Sequence, residues 1–278
     1  MFVNYIKRKI RKWFASLKSG KLLKNIRNEL PLLLKGRFPY MLKEYIQNSL
    51  NEIYSLREYK KEFIHSIDSI KTNENLEEII DFALYNNKFF IKPSQIRSEI
   101  AGLLKILKES KPKYILEIGT YAGATLFLYS QVVAENAQII SVDLPGGSHG
   151  GGYPEWKKPI FKAFAPPTRR ITLIRDDSHR YATLKKVKRI LNNNKLDFLF
   201  IDGDHTYQGV KKDFRLYNDL VKDNGLIAFH DIVPHPPESN CEVNKFWNEI
   251  KNKFVSNELV EDWNQNWGGI GIIVKKRI

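Results

Sequence analysis

The stretch from Leu196 to His205 constrains the fold more than any other part of the chain. Leu196-Asp197-Phe198-Leu199-Phe200-Ile201 is a short apolar run that stops abruptly at Asp202-Gly203-Asp204-His205. A run of this length, rich in aromatic and branched residues and bounded by glycine and acids, reads as a strand buried on both faces of a parallel sheet. The polar residues then stand at the carboxyl end of that strand, where open α/β sheets bind ligands. Past His205 the pattern returns as Leu226-Ile227-Ala228-Phe229-His230-Asp231. Two adjacent strands would deliver carboxylates and imidazoles to one edge, a combination suited to a divalent metal or to proton transfer.

The rhythm around these two runs supports the same architecture. From about residue 112 onward, strand patterns at 114–118, 137–142, 171–175, 196–201 and 226–229 alternate with helical patterns at 122–133, 181–191, 210–221 and 241–254. Alternation of this kind predicts an α/β fold with a doubly wound, mostly parallel sheet. Two further strands, at 259–263 and 270–274, joined through Trp267-Gly268-Gly269, predict a C-terminal antiparallel hairpin that makes the sheet mixed. Residues 1–90 read as a helical extension, and 91–278 as the domain that carries the chemistry.

The extension is where the charge sits. The chain has a net charge of +14, and residues 1–50 carry twelve basic side chains against Glu29 and Glu44. Val3, Ile6, Ile10, Trp13, Phe14 and Leu17 recur at helical spacing among those lysines and arginines, giving a basic amphipathic helix. Such a stripe can pack on the body or on a second copy of the chain, or lie peripherally on an anionic membrane. Specific nucleic-acid binding is not expected, because neither an aromatic-studded strand pattern nor zinc-finger spacing accompanies the charge. The apolar runs are too short to span a bilayer, no secretory leader is evident, and the one cysteine, Cys241, excludes an internal disulfide framework. These features together favour a cytoplasmic location.

Three strand ends carry further chemistry. Glu117-Ile118-Gly119-Thr120-Tyr121-Ala122-Gly123 follows the first strand, and its glycines allow a tight turn and close approach of a ligand to the backbone. Asp143, at the end of the second strand, has the position of an acid that accepts hydrogen bonds from both hydroxyls of a ribose. Asp176-Asp177-Ser178 ends the third strand, where Asp177 or Ser178 either contacts an adenine amino group or caps the next helix. Between them lies Pro145 to Pro154, a glycine-rich loop with His149 and Tyr153, readable as a lid or as a plain connection. Trp156, Tyr207 and Trp267 are candidates either for an acceptor wall or for the core.

Taken in order, Glu-Ile-Gly-Thr-Tyr-Ala-Gly, Ser-Val-Asp143, Ile-Asp-Gly-Asp-His-Thr-Tyr and Phe-His-Asp231 resemble the class I S-adenosylmethionine-dependent methyltransferases. Within them the chain is similar to the small-molecule O-methyltransferase branch that includes macrocin-type sugar methyltransferases and cephalosporin hydroxylase-like proteins. The resemblance covers about residues 95–278, and Ile91-Lys92-Pro93-Ser94-Gln95 resembles the lead-in these proteins carry. It implies S-adenosylmethionine held by Glu117, Gly119, Thr120, Tyr121 and Gly123, with Asp143 on the ribose and Asp177 and Ser178 by the adenine. It also implies a divalent metal, magnesium first, held by Asp202 with the His230-Asp231 pair. Catechol-type relatives carry Asp-Asn where this chain has His-Asp. Oxygen donors suit magnesium, whereas a histidine ligand moves the choice toward manganese, iron or zinc. His205 stands where those relatives carry a lysine base, and an imidazole suits removal of a proton from an alcohol. It is alternatively a metal ligand or a brace for its loop. The expected reaction is metal-assisted methylation of a hydroxyl on a sugar, glycolipid or secondary metabolite. The alternatives are a cephalosporin hydroxylase-like metal enzyme, or a non-catalytic cofactor-binding accessory protein at a membrane.

Overall fold

The computed structural model describes residues 61–71, 73–86, 91, 94–145 and 152–276. The chain divides into two compact units, Met1–Lys61 and Glu62–Ile278, and the second holds the sheet. The basic amphipathic helix expected before residue 18 lies outside the described residues, as does His149 in the glycine-rich loop.

In chain order the elements are α1 (Leu76–Asp81), α2 (Arg97–Ser110), β1 (Tyr114–Ile118), α3 (Ala124–Val132), β2 (Gln138–Asp143), α4 (Lys158–Ala163), β3 (Arg170–Arg175), α5 (Tyr181–Leu191), β4 (Leu196–Ile201), α6 (Tyr207–Tyr217), β5 (Val221–His230), α7 (Val243–Ile250), β6 (Val255–Leu259) and β7 (Ile270–Val274). The seven described strands form one sheet in the order β3-β2-β1-β4-β5-β7-β6. β1 to β5 pair in parallel, and β7 runs antiparallel to both β5 and β6. The expected mixed, doubly wound α/β fold is the observed one. Strand order reverses between β1 and β4, so the crevice at their carboxyl ends is the place where such a sheet takes a ligand.

The central strands are apolar because both of their faces are covered. Phe198 and Phe200 point to one face, where each meets the ring of Tyr129 edge-on at 5.6 Å. On that side Phe127 packs on Phe164 at 5.5 Å and on Phe82 at 5.5 Å, which brings in the turn that follows α1. Leu199 and Ile201 point to the other face, in a core with Leu116, Ile118, Val187, Tyr217, Phe246 and Trp247. Period-two side-chain alternation on a two-sided sheet produces these two cores from one run of residues.

Boundaries shift where the apolar signal is weak. The last hairpin begins at Val255–Leu259, not at 259–263, because the edge strand Val-Ser-Asn-Glu-Leu is half solvated and carries no apolar pattern. α7 ends at Ile250, four residues short of the expected end, where the chain tightens into a 3-10 turn at Lys251–Lys253. α6 runs Tyr207–Tyr217 instead of 210–221, and Val221 already belongs to β5 across a register irregularity opposite Leu196–Phe198. The short helix α4 was not expected from the pattern; Pro159 near its start disguises a segment that buries Ile160 and Phe161. Among the described residues no helix is long and apolar enough to cross a membrane.

One glycine in the hairpin is required by packing. A Cβ on Gly271 would lie 2.8 Å from three ring atoms of Trp247, whose indole N–H donates to Glu258 Oε1 at 2.6 Å. Gly271→Ala should therefore displace a fully buried tryptophan and lower unfolding free energy by about 1–3 kcal/mol, read from urea denaturation. A variant as stable as the wild type would show that Trp247 is free to move.

Candidate active site

The turn after β1 is built from backbone close approaches that exclude side chains. Gly119 has φ +91° and Gly123 φ +95°. The Gly119 N–H donates to Val142 O at 2.9 Å, and the Asp202 N–H donates to Ile118 O at 2.8 Å, so the ends of β1, β2 and β4 are stitched together. A Cβ on Gly119 would lie 1.9 Å from Asp202 O, and one on Gly123 would lie 2.7 Å from the Phe161 ring. α3 starts after Gly123, which offers no side-chain cap, leaving the first amides of the helix directed at the crevice. Ser94, Gln95, Gly119, Thr120, Tyr121, Thr125 and Asp202 line the cleft in front of this turn.

Glu117 lies beneath the turn, fully buried. Its Oε1 accepts from the Thr125 hydroxyl, while Oε2 has no partner. Burial pushes its carboxyl up to about 8, only partly offset by bonds from the Thr125 and Thr120 hydroxyls. Asp143 is also buried. Its Oδ2 accepts from the Thr120 N–H at 3.1 Å and the Tyr121 N–H at 2.7 Å, and its Oδ1 accepts from the Gly152 N–H at 3.1 Å. Burial raises its pKa against the pull of those amides. The acid expected to meet a ribose thus also fixes the glycine turn, joining it to the far end of the glycine-rich loop. Tyr153 in that loop is buried, with its ring 4.7 Å from Phe161, so it belongs to the core and not to a lid.

At the end of β3, Asp177 Oδ1 accepts from the His179 N–H at 2.8 Å, and Ser178 O accepts from the Tyr217 hydroxyl at 2.7 Å. The N-cap of α5 is Arg180, so neither Asp177 nor Ser178 caps that helix. Tyr207 packs edge-on against Phe246 and bonds Glu249 through its hydroxyl, a core and surface-network role. Trp156 and Trp267 are exposed.

The strand-four and strand-five residues converge as the sequence suggested. His230 Nδ1 lies 3.4 Å from Asp202 Oδ1 and 3.3 Å from Asp231 Oδ1. His205 bridges the same two acids, Nε2 at 3.3 Å from Asp202 Oδ1 and Nδ1 at 3.4 Å from Asp231 Oδ2. Burial alone would raise both acids, but the neighbouring imidazoles outweigh it and hold Asp202 low and Asp231 well below the usual carboxylate range. Burial would lower the histidines, yet the acids win. His205 is pushed up to about 9 and His230 is well above its ordinary value. Among the described residues no lysine or arginine lies within ion-pair distance of either acid. One donor atom each from Asp202, His230 and Asp231 lies within 4.8 Å of the others, so mutually close carboxylates and imidazole fit a divalent cation.

Three supporting residues escaped the sequence reading. His235 Nε2 lies 3.1 Å from Asp231 Oδ1, five residues after His230, a spacing with no strand or helix signature in its Pro-flanked loop. Asp204 accepts from the Thr206 N–H and hydroxyl at 3.0 and 2.8 Å, and so shapes the loop into α6, whose N-cap is Thr206. Glu99, buried in α2, accepts from the Glu261 N–H at 3.2 Å, the Gln265 side-chain amide at 2.7 Å and the Gly269 N–H at 2.8 Å. The preceding amide, Gly268 N–H, donates to Asp231 Oδ1 at 3.0 Å. A buried acid inside an amphipathic helix was the available signal for Glu99.

Residues 116–232 match the methyltransferase domain family. An uncharacterised protein of Sinorhizobium fredii is 26% identical over 144 residues, covering 50% of this chain and 15% of that protein. An uncharacterised protein of Acanthamoeba polyphaga mimivirus is 40% identical over 76 residues, covering 26% of this chain and 34% of that protein. The chain therefore spans well under half the length of either curated relative. Among solved structures, the O-methyltransferase from Bacillus cereus in complex with SAH superposes with a TM-score of 0.50 at 15% identity, over 76% of this chain and 96% of that one. A Klebsiella pneumoniae protein assigned as an O-methyltransferase gives 0.51 at 18% identity, over 75% and 94%. The strand order and the glycine turn agree with that match: residues 116–232 are similar to a methyltransferase domain, and the sheet has the fold of the two solved O-methyltransferase structures.

Proposed function

We propose that the chain transfers the methyl group of S-adenosylmethionine to a hydroxyl of a small molecule or glycan, with a divalent cation at the ends of β4 and β5. One observation carries this reading: Asp202 belongs at once to the cleft under the glycine turn and to the cluster with His230 and Asp231, so cofactor and acceptor oxygen share a wall. Residues 91–278 carry the chemistry, with 1–90 as an accessory extension.

Asp202 and Asp231 would hold the cation, with His230 beside them. A bound divalent cation supplies charge that lowers the pKa of an acceptor hydroxyl. The turn from Gly119 to Gly123 holds the methionine end of the cofactor, and Asp143 faces its ribose. The acceptor oxygen forms its bond to the methyl carbon as the carbon–sulfur bond breaks in line, leaving a neutral thioether. The hydroxyl proton goes to His205, the most exposed imidazole of the cluster, once it is relieved of balancing the charge of Asp202. Holding the two reactants on one wall supplies much of the rate.

Calorimetric titration with S-adenosylmethionine, with and without magnesium, tests the reading; absence of binding in both would sink it. With isotope-labelled methyl donor and a panel of sugar and phenolic acceptors, Asp231→Ala should reduce metal-dependent transfer by at least about a hundredfold. Cofactor affinity should stay within about twofold, since Asp231 does not line the cleft. Undiminished transfer would remove Asp231 from the metal assignment.

A further inference from the structure

The two oxygens of Asp231 face different company. Oδ1 meets His230, His235 and the Gly268 N–H. Oδ2 meets His205 Nδ1 at 3.4 Å, and Cys241 lies close to this pair. One donor atom each from His205, Asp231 and Cys241 lies within 4.8 Å of the others. The placement of the thiol is held by the backbone: the Glu242 N–H donates to His205 O at 2.8 Å, and the Cys241 N–H donates to Ser239 Oγ at 3.1 Å. Cys241 is thus anchored beside the imidazole by bonds that involve none of the three donor groups. Nitrogen, oxygen and sulfur together form a softer set than the two acids and His230 of the adjoining cluster.

We propose that His205, Asp231 and Cys241 form a second cation site, overlapping the first through Asp231 and taking a borderline-soft transition ion such as zinc. Thiolate and imidazole favour zinc, cobalt or iron over magnesium. On binding, the Cys241 thiol gives its proton to solvent and the sulfur bonds the cation, with no change of oxidation state. An ion there engages His205, the base in the function proposed above, so the second site competes with that function. The inference rests on that reading only for this consequence; the ligand set stands on its own geometry.

The chain has a single cysteine, so any thiolate–metal signal comes from Cys241. Titrating the full chain with cobalt(II) should produce a thiolate-to-cobalt charge-transfer band in the near ultraviolet. Cys241→Ser should lose that band and bind zinc roughly tenfold or more weakly, with magnesium affinity and thermal midpoint unchanged. A wild-type cobalt spectrum without the band, or the same band in Cys241→Ser, overturns the proposal. S-adenosylmethionine binding is measured on the same samples. Band present with no cofactor bound defeats the methyltransferase reading and leaves this one standing; cofactor bound with no band defeats this one alone.

Discussion

Gly119→Ala is expected to weaken binding of S-adenosylmethionine by at least about a hundredfold and to cost stability in the same stroke. The added Cβ would lie 1.9 Å from the carbonyl oxygen of Asp202, less than two-thirds of a permitted contact. That oxygen cannot step aside cheaply, because the Asp202 N–H is bonded to Ile118 O at 2.8 Å and the Gly119 N–H to Val142 O at 2.9 Å. Any relief separates β1 from β4 where the crevice opens. The backbone conformation adds its own cost, since φ is +91° at this position. Strain of that kind costs about 1–3 kcal/mol, and overpacking typically another 1–3 kcal/mol. We expect an unfolding free energy lower by about 2–6 kcal/mol and cofactor affinity reduced by at least about a hundredfold, because a change of about 2.7 kcal/mol at the site suffices. Urea denaturation and calorimetry check the two arms separately. Native affinity in a stable variant would mean that the ligand does not approach this turn.

The second large effect concerns Glu117. Its carboxyl is pushed up to about 8 from a reference of 4.5, so it is mostly protonated in the fold at neutral pH. A folded-state pKa above the unfolded one contributes stability that is fully present below pH 4.5 and lost as the pH rises through about 8. Wild-type unfolding free energy should therefore fall across that window by a few kcal/mol, at up to about 1.4 kcal/mol per pH unit. Glu117→Gln keeps the shape and the acceptor for Thr125 but has no proton to lose. It should match the wild type near pH 5 and exceed it in stability near pH 9. Cofactor binding should respond in the opposite sense. A sulfonium and an ammonium favour the ionised carboxylate, so wild-type affinity should rise with pH toward 8 with release of a proton, and the glutamine variant should lose that slope. Calorimetry in buffers of different ionisation enthalpy counts the proton. Equal pH slopes in the two proteins would remove Glu117 from both roles.

The parts of the site legible in the sequence are those that strand ends dictate. A two-sided parallel strand has to be an apolar run, and the residue at which the run stops is fixed within a position or two. Asp202, His230 and Asp231 therefore declared their common edge, and Gly119, Gly123 and Asp143 declared the turn after β1. What did not show was support arriving by loops or from far away. His235 stands between Pro234 and Pro236, and Cys241 follows the 3-10 turn Pro237–Ser239 just before α7, so their approach to Asp231 is a property of the folded loop. The edge strand Val255–Leu259 is half solvated, which erases the pattern that would have located it. Asp177 and Ser178 show the limit of cap rules, since the chain takes two more residues before α5 begins.

The clasp made by Glu99 has a consequence for how this protein comes into being. The segment matched to the methyltransferase family, residues 116–232, contains neither Glu99 nor Gly268, although the first holds the loop whose amide holds Asp231. A ribosome extruding this chain must release 170 residues after Glu99 before its carboxylate meets the Gly269 amide. Until then Asp231 stands without the Gly268 amide, and the edge at the ends of β4 and β5 is not locked. Maturation of the site is therefore a late, long-range closure in folding. An excised piece cut at the family boundaries would lack that clasp together with β6 and β7.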